Sequence, residues 1–130
     1  MLVSLLYLYT KTPGAHSFAW ADLVQVSLTG QESFWVMLGF FLAFAVKMPV
    51  FPFHTWQPDT YVTAPTGGTM LLSAIMLKMG VYGAVRWMVP MAPEAWHTLA
   101  PTFMILAVTG VVYASIIAVK QNDFKRLIAY

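Results

Sequence analysis

Apolar residues fall along this chain in long runs separated by short polar stretches that carry proline or glycine. Leu2–Tyr9 is one such run, about half the length that crosses ~30 Å of hydrocarbon as a helix. Ser33–Val46 is a second; at 1.5 Å per residue it reaches ~20 Å, and it crosses only if Lys47–Phe53 continues it. That continuation holds Pro49 and Pro52, whose rings and missing N–H groups break a regular helix. Thr66–Met88 is long enough to span, with Pro90 and Pro93 expected to end it, and Thr98–Val119 follows at similar length. Leu127–Tyr130 opens one more apolar stretch. The expected spans are therefore 2–9 in part, 33–53 broken, 66–88, 98–119 and 127–130 in part, all in one transmembrane domain covering 1–130.

The segments between these runs read as connections. Thr10–Gln31 contains Pro13, Gly14 and Gly30, and within it Phe18–Leu28 alternates apolar and polar residues, as a short element lying on a membrane surface would. Gln57–Pro65, with Pro58-Asp59 and Ala64-Pro65, has turn chemistry, and Lys120–Arg126 is charged. Trp35, Trp56, Trp87 and Trp96 fall near expected span ends, where an indole keeps its N–H wet. Lys120, Lys125 and Arg126 on one side against Lys11 and Arg86 on the other put the 57–65 and 120–126 connections together on the cytoplasmic side.

Composition reinforces this reading. Of 130 residues 59% are hydrophobic and 9% charged, where a soluble domain has about 25% charged. Mean hydropathy is +0.69. A soluble fold of this make-up would expose large apolar patches, whereas lipid accommodates them. The fold class expected is all-α, a multi-spanning helix bundle with one proline-broken helix. Both ends of the chain interrupt apolar stretches, as in a piece of a longer protein. The net charge of +2, without a basic stripe, argues against a nucleic-acid partner. Zero cysteines exclude disulfides and thiolate-held metal or iron–sulfur groups in this chain. His16, His54 and His97 are too scattered for a metal site, and no phosphate-binding glycine loop or paired-carboxylate motif is present.

Two lysines carry the chemistry. Lys47 lies ~20 Å along its run and Lys78 lies near the middle of the next. An ionisable side chain at such depth costs at least ~2.5–3.5 kcal/mol and marks a functional position unless it snorkels to the interface. A desolvated lysine can exchange its proton near neutral pH, as a relay requires. No acidic residue lies inside an expected span, so any counter-charge comes from elsewhere. Beside Lys47, the proline-broken segment can line a wet cavity or be a plain kink. His54 can relay protons or sit at the interface beside Trp56; the residues alone leave both open. Gly80 with Ala84, and Gly110 with Ala114, permit close helix approach.

The stretch Phe44-Ala45-Val46-Lys47-Met48-Pro49, continuing to Phe53-His54-Thr55-Trp56-Gln57-Pro58-Asp59, resembles the broken seventh helix of the antiporter-like subunits of respiratory complex I. Ala64-Pro65-Thr66-Gly67-Gly68 with Leu77-Lys78-Met79-Gly80-Val81-Tyr82-Gly83 resembles the eighth helix of the subunit M type, called chain 4 in mitochondria. Asp123-Phe124-Lys125-Arg126-Leu127-Ile128-Ala129-Tyr130 resembles the lead into its tenth helix. The likeness covers roughly residues 34–130. Sister subunits L and N share the Pro-Phe-His-x-Trp-x-Pro-Asp core but differ in the following helix.

The resemblance implies proton translocation within an NADH–quinone oxidoreductase, the chain being part of a non-redox membrane subunit with no catalysis of its own. A cation/proton antiporter subunit is the alternative, and a purely structural membrane scaffold a third. Lys47 would be the lysine of a central ion pair and Lys78 the lysine that passes the proton along the membrane. His54 would join them in proton transfer, with Pro49, Pro52, Pro58, Asp59 and Pro65 shaping the broken helix and its loop. No redox cofactor or metal is implied. The expected partners are other complex I membrane subunits, the lipid bilayer and protons, with NADH and quinone reached only through other subunits. The expected location is the bacterial inner membrane, or the mitochondrial inner membrane for an organellar chain. Two positions depart from the family pattern: Gln57 stands where leucine is usual, and Tyr61 where a second histidine is common.

Overall fold

A computed structural model describes residues 1–14 and 16–130, and every regular element among them is helical. The helices are α1 (Leu2–Lys11), α2 (Trp20–Val24), α3 (Gly30–Lys47), α4 (Trp56–Thr63), α5 (Thr66–Met91), α6 (Pro93–Ala118) and α7 (Phe124–Ala129). By length and composition α5 and α6 can each cross a membrane. Their apolar side chains are largely exposed, Met104, Ile105, Val108 and Val111 of α6 among them. In water such a surface would drive aggregation; in a membrane it meets lipid or neighbouring helices.

The chain divides into two compact units: Met1–Phe44 with Tyr82–Ala100, and Ala45–Val81 with Pro101–Tyr130. The first is built on an apolar core in which Leu8, Leu23, Met37 and Phe40 are almost wholly enclosed. Gly39 lets α1 approach α3 closely, the Ser4 hydroxyl lying where a Cβ would stand. Phe44 fills the equivalent space at Gly83. The start of α3 is fixed by the Glu32 side chain reaching back to Thr29. Thr29 precedes the helix, its carbonyl accepts the Ser33 N–H at 2.8 Å, and its own N–H donates to Glu32 Oε2 at 3.0 Å. Glu32 also accepts from the Tyr7 hydroxyl and pairs with Lys11 at 2.8 Å. The Lys11 ammonium, then the Tyr7 hydroxyl and the Thr29 N–H, hold the Glu32 carboxyl well below the usual carboxylate range. Glu32 in turn raises the Lys11 pKa.

Pro90 does not end α5. Lacking an N–H, it cannot bond the Arg86 carbonyl, and its ring crowds that carbonyl. The helix absorbs this by widening its turns over Ala84–Met88, so that Val89 N–H reaches the Ala84 carbonyl. The Trp20 indole then donates to the Arg86 carbonyl at 3.2 Å, while the Arg86 guanidinium stacks 4.0 Å from the Trp20 ring centroid. The break falls at Ala92, which leaves the helical region at φ −142° and ψ 62° because Pro93 follows it. A second wide-turn stretch, Leu72–Met76, lies shortly before Lys78.

In the second unit the two connections expected on one side of the membrane lie together. Arg126 pairs with Asp59 at 2.6 Å, and Lys125 Nζ donates to the Ala64 carbonyl at 3.3 Å. The 57–65 stretch is largely helical rather than a turn. Pro58 sits in the first turn of α4, where its missing N–H has no intrahelical partner to lose, and Asp59 complements the positive end of the helix. Asp123 caps α7, its Oδ1 accepting from Lys125 N–H at 2.8 Å and Arg126 N–H at 3.4 Å.

Candidate functional site

The chemistry-bearing residues gather where α3 stops. In a regular helix the Ala45 carbonyl would accept from residue 49, but Pro49 has no N–H. Val50 N–H takes that role instead at 2.9 Å. This removes the donor that Val46 would have had, and the Trp56 indole replaces it at 3.0 Å. Pro52, whose peptide bond to Phe51 is cis, prevents the next donor from continuing the ladder. The helix thus ends at Lys47, with a cation in the last turn, where the carbonyl-rich end of the dipole favours it.

Gly80 brings α5 against this break. A Cβ at Gly80 would lie 2.8 Å from Met48 Cγ, 3.0 Å from Lys47 Cβ and 3.2 Å from the Met48 backbone nitrogen. Only glycine admits that approach, and it seats the backbone of the α5 turn that carries Lys78 directly on Lys47 and Met48. Both lysine side chains are exposed in this chain. The ion pairs among the described residues are Lys11–Glu32 and Arg126–Asp59, and neither lysine takes part in them. Gly110 plays a milder form of the same part, with Phe51 Cβ 3.5 Å from the position its Cβ would occupy.

Past the break the chain turns through Pro49, Pro52 and His54 into α4. A cavity of about 390 Å³ opens here, lined by Met48–Phe51, His54, Gln57, Pro58, residues of α6 around Gly110, and Ala129 and Tyr130. His54 faces three aromatic rings: Phe51 at 5.7 Å, Tyr113 edge-on at 5.1 Å and Tyr130 at 6.4 Å between centroids. Both its ring nitrogens are buried and find no hydrogen-bond partner among the described residues. A polar group so enclosed is unfavourable unless water or another partner satisfies it. Pro65, by contrast, lies at the far end of α4, in extended backbone immediately before α5.

The sequence singled out Lys47, Lys78, His54 and the prolines. It did not reveal Tyr113 and Tyr130 as walls around His54, nor Trp56 as the donor that completes the broken end. The signal for Trp56 was readable: a carbonyl deprived by proline needs a donor from nearby, and an indole has only a donor to offer.

Comparison with known proteins agrees with this architecture. The family described as NADH:quinone oxidoreductase/Mrp antiporter, TM, matches residues 1–130. NADH-quinone oxidoreductase subunit M of Pseudomonas aeruginosa is 40% identical over 99% of this chain and 25% of its own length. The protein of the same name from Escherichia coli K12 is 40% identical, also over 99% of this chain and 25% of its own. That of Rhodobacter capsulatus is 47% identical over 80% of this chain and 20% of its own. Among solved structures, a chain of respiratory complex I from Thermus thermophilus with bound NADH superposes with a TM-score of 0.88 at 35% identity, over 99% of this chain and 27% of that one. The chain therefore spans about a quarter of the length of the relatives it matches.

Proposed function

The chain belongs to the NADH:quinone oxidoreductase/Mrp antiporter transmembrane family, and from that membership we propose that the whole protein translocates protons as a membrane subunit of an NADH–quinone oxidoreductase. Electron transfer from NADH to quinone takes place in other subunits, and this one adds no redox step. The subunit M names of the relatives favour this reading over a cation/proton antiporter. The bacterial relatives support a place in the bacterial inner membrane, with the remaining membrane subunits of complex I as partners.

The observation that carries the mechanism is the contact at Gly80, where the backbone bearing Lys47 meets the turn bearing Lys78. In this reading a proton reaches one lysine from a neighbouring helix and passes through water to the other. Lys47 is the relay group at the broken helix end, Lys78 hands the proton onward, and His54 serves the adjoining cavity. Pro49 and Pro52 keep the helix open, while Pro58, Asp59 and Pro65 hold the following segment. Acidic partners for the lysines come from parts of the protein outside this chain.

The test is NADH-driven proton pumping by membrane vesicles carrying the full complex, with assembly checked on native gels. Lys47→Met keeps volume and removes the ammonium; it should assemble and lose pumping at least ~100-fold, the low end of what a proton-transfer group contributes. Lys78→Met should behave similarly or more mildly. Arginine at either position should also impair pumping, because it holds its proton. Normal pumping in both methionine variants would defeat the assignment and favour a structural role.

A further inference from the structure

Gln57 is the one amide side chain lining the His54 cavity, and it is itself buried. The backbone fixes its relation to the histidine: Gln57 N–H donates to the His54 carbonyl at 3.1 Å, and Thr55 between them has helical torsions. Residues three apart on a helical turn share a face. The cavity, at about 390 Å³, exceeds the ~10–15 Å³ that one water needs by more than an order of magnitude. Its other walls are mostly apolar or aromatic, and the titratable groups among them, apart from His54, are Tyr113 and Tyr130. The charged groups on the surrounding elements are Glu32 and Lys47 on α3, Asp59 on α4, Glu94 on α6, and Lys125 and Arg126 on α7; none lines the cavity, and Asp59 and Arg126 are engaged with each other.

We infer that Gln57 is a positioning residue that holds a water molecule against the His54 imidazole. A carboxamide suits this task because it both donates and accepts without titrating. It can orient the water to donate to an unprotonated ring nitrogen, and reorient it to accept from a protonated one. One of the two orphan ring nitrogens of His54 thereby gains a partner in either state, and a proton leaving the ring there has a defined first acceptor. An apolar side chain of similar size would hold no such water, leaving the Tyr113 and Tyr130 hydroxyls as the remaining polar side-chain groups in the cavity wall beside His54.

This inference rests on the reading of His54 as a proton-transfer group, and the experiment separates the two. In the full complex, Gln57→Leu should lower NADH-driven pumping per assembled complex roughly fivefold, the rate equivalent of one ordinary hydrogen bond. Gln57→Asn should restore at least half of it, since a contact made through water tolerates one methylene less. In a His54→Ala background, Gln57→Leu should reduce the residual pumping no further, because both changes remove the same link. Normal pumping in Gln57→Leu alone, no rescue by asparagine, or an undiminished fivefold loss in the His54→Ala background would each overturn the inference while leaving His54 in place. Normal pumping in His54→Ala would remove the histidine reading and this inference with it.

Discussion

The two units of the chain are similar in size and opposite in their interiors. The first encloses nearly all the buried hydrophobic side chains, from Leu8 and Leu23 through Phe40 and Phe41 to Met88 and Met91. The second contributes only Ala45 and Tyr61 to that set, and it holds Lys47, His54, Gln57, Lys78, the broken helix end and the large cavity. In the first, glycines admit side chains, Ser4 at Gly39 and Phe44 at Gly83; in the second, Gly80 admits the side-chain stems of Lys47 and Met48 together with the Met48 backbone nitrogen. Dense packing fixes position, and a cavity with orphaned polar atoms leaves room for water. The packed apolar core thus belongs to the first unit, and the enclosed imidazole with its cavity to the second.

Substitutions should separate these characters. The largest effect on stability is expected in the first unit. Phe40→Ala, at a ring that is 1% exposed, should destabilise by about 3–5 kcal/mol, lowering assembly on native gels while pumping per assembled complex stays near normal. A lost pumping ratio with intact assembly would blur the division. Next, Gly80→Val should cost about 1–3 kcal/mol through overpacking against Met48 and Lys47, and unlike Phe40→Ala it should also reduce pumping. Gly67→Ala, where nothing lies within 4 Å, should do neither.

A smaller effect is expected at the broken end. Trp56→Phe keeps the ring and deletes the donor to Val46, at a cost of about 1 kcal/mol in thermal stability of the solubilised complex. The smallest concerns Lys11–Glu32, which is partly exposed and screened. The folded Glu32 carboxyl lies below its ordinary range, so its contribution is complete above about pH 4.5 and is lost as pH falls through the depressed value. Lys11, raised, contributes below about pH 10.5 and ceases to as pH rises through its elevated value. Glu32→Gln should therefore flatten the acid limb of stability against pH and leave pumping unchanged at neutral pH.

How far the sequence disclosed this arrangement depended on the range of the interactions. Apolar runs and prolines exposed the long helices and the break after Lys47, because both signals are local. The start of α3 was also written locally, in Thr29-Gly30-Gln31-Glu32, yet the polar residues there read as connection and the helix was expected only from Ser33. The same bias hid α4, since Pro58-Asp59 reads as a turn unless the proline is placed in the first turn of a helix. Spacing at Gly80 and Gly110 announced close approach without naming the partner. The walls of the His54 cavity were illegible, because Tyr113 and Tyr130 join it only through tertiary packing. The exposure of Lys47 and Lys78 in this chain was illegible for the same reason, for a lysine's surroundings depend on helices that its own neighbours in sequence do not specify.

The exchange of donors at the end of α3 also ties two positions to each other. With alanine at 49, that residue's own N–H would serve the Ala45 carbonyl, Val50 would return to Val46, and the Trp56 indole would be spare. With proline at 49 the indole is needed. A lineage that acquired Pro49 before a donor existed at 56 would have passed through an intermediate with an orphaned carbonyl, and one that discards Trp56 first meets the same obstacle in reverse. Proline and tryptophan, seven residues apart, are therefore energetically coupled: the indole donor is needed while proline stands at 49 and is dispensable without it.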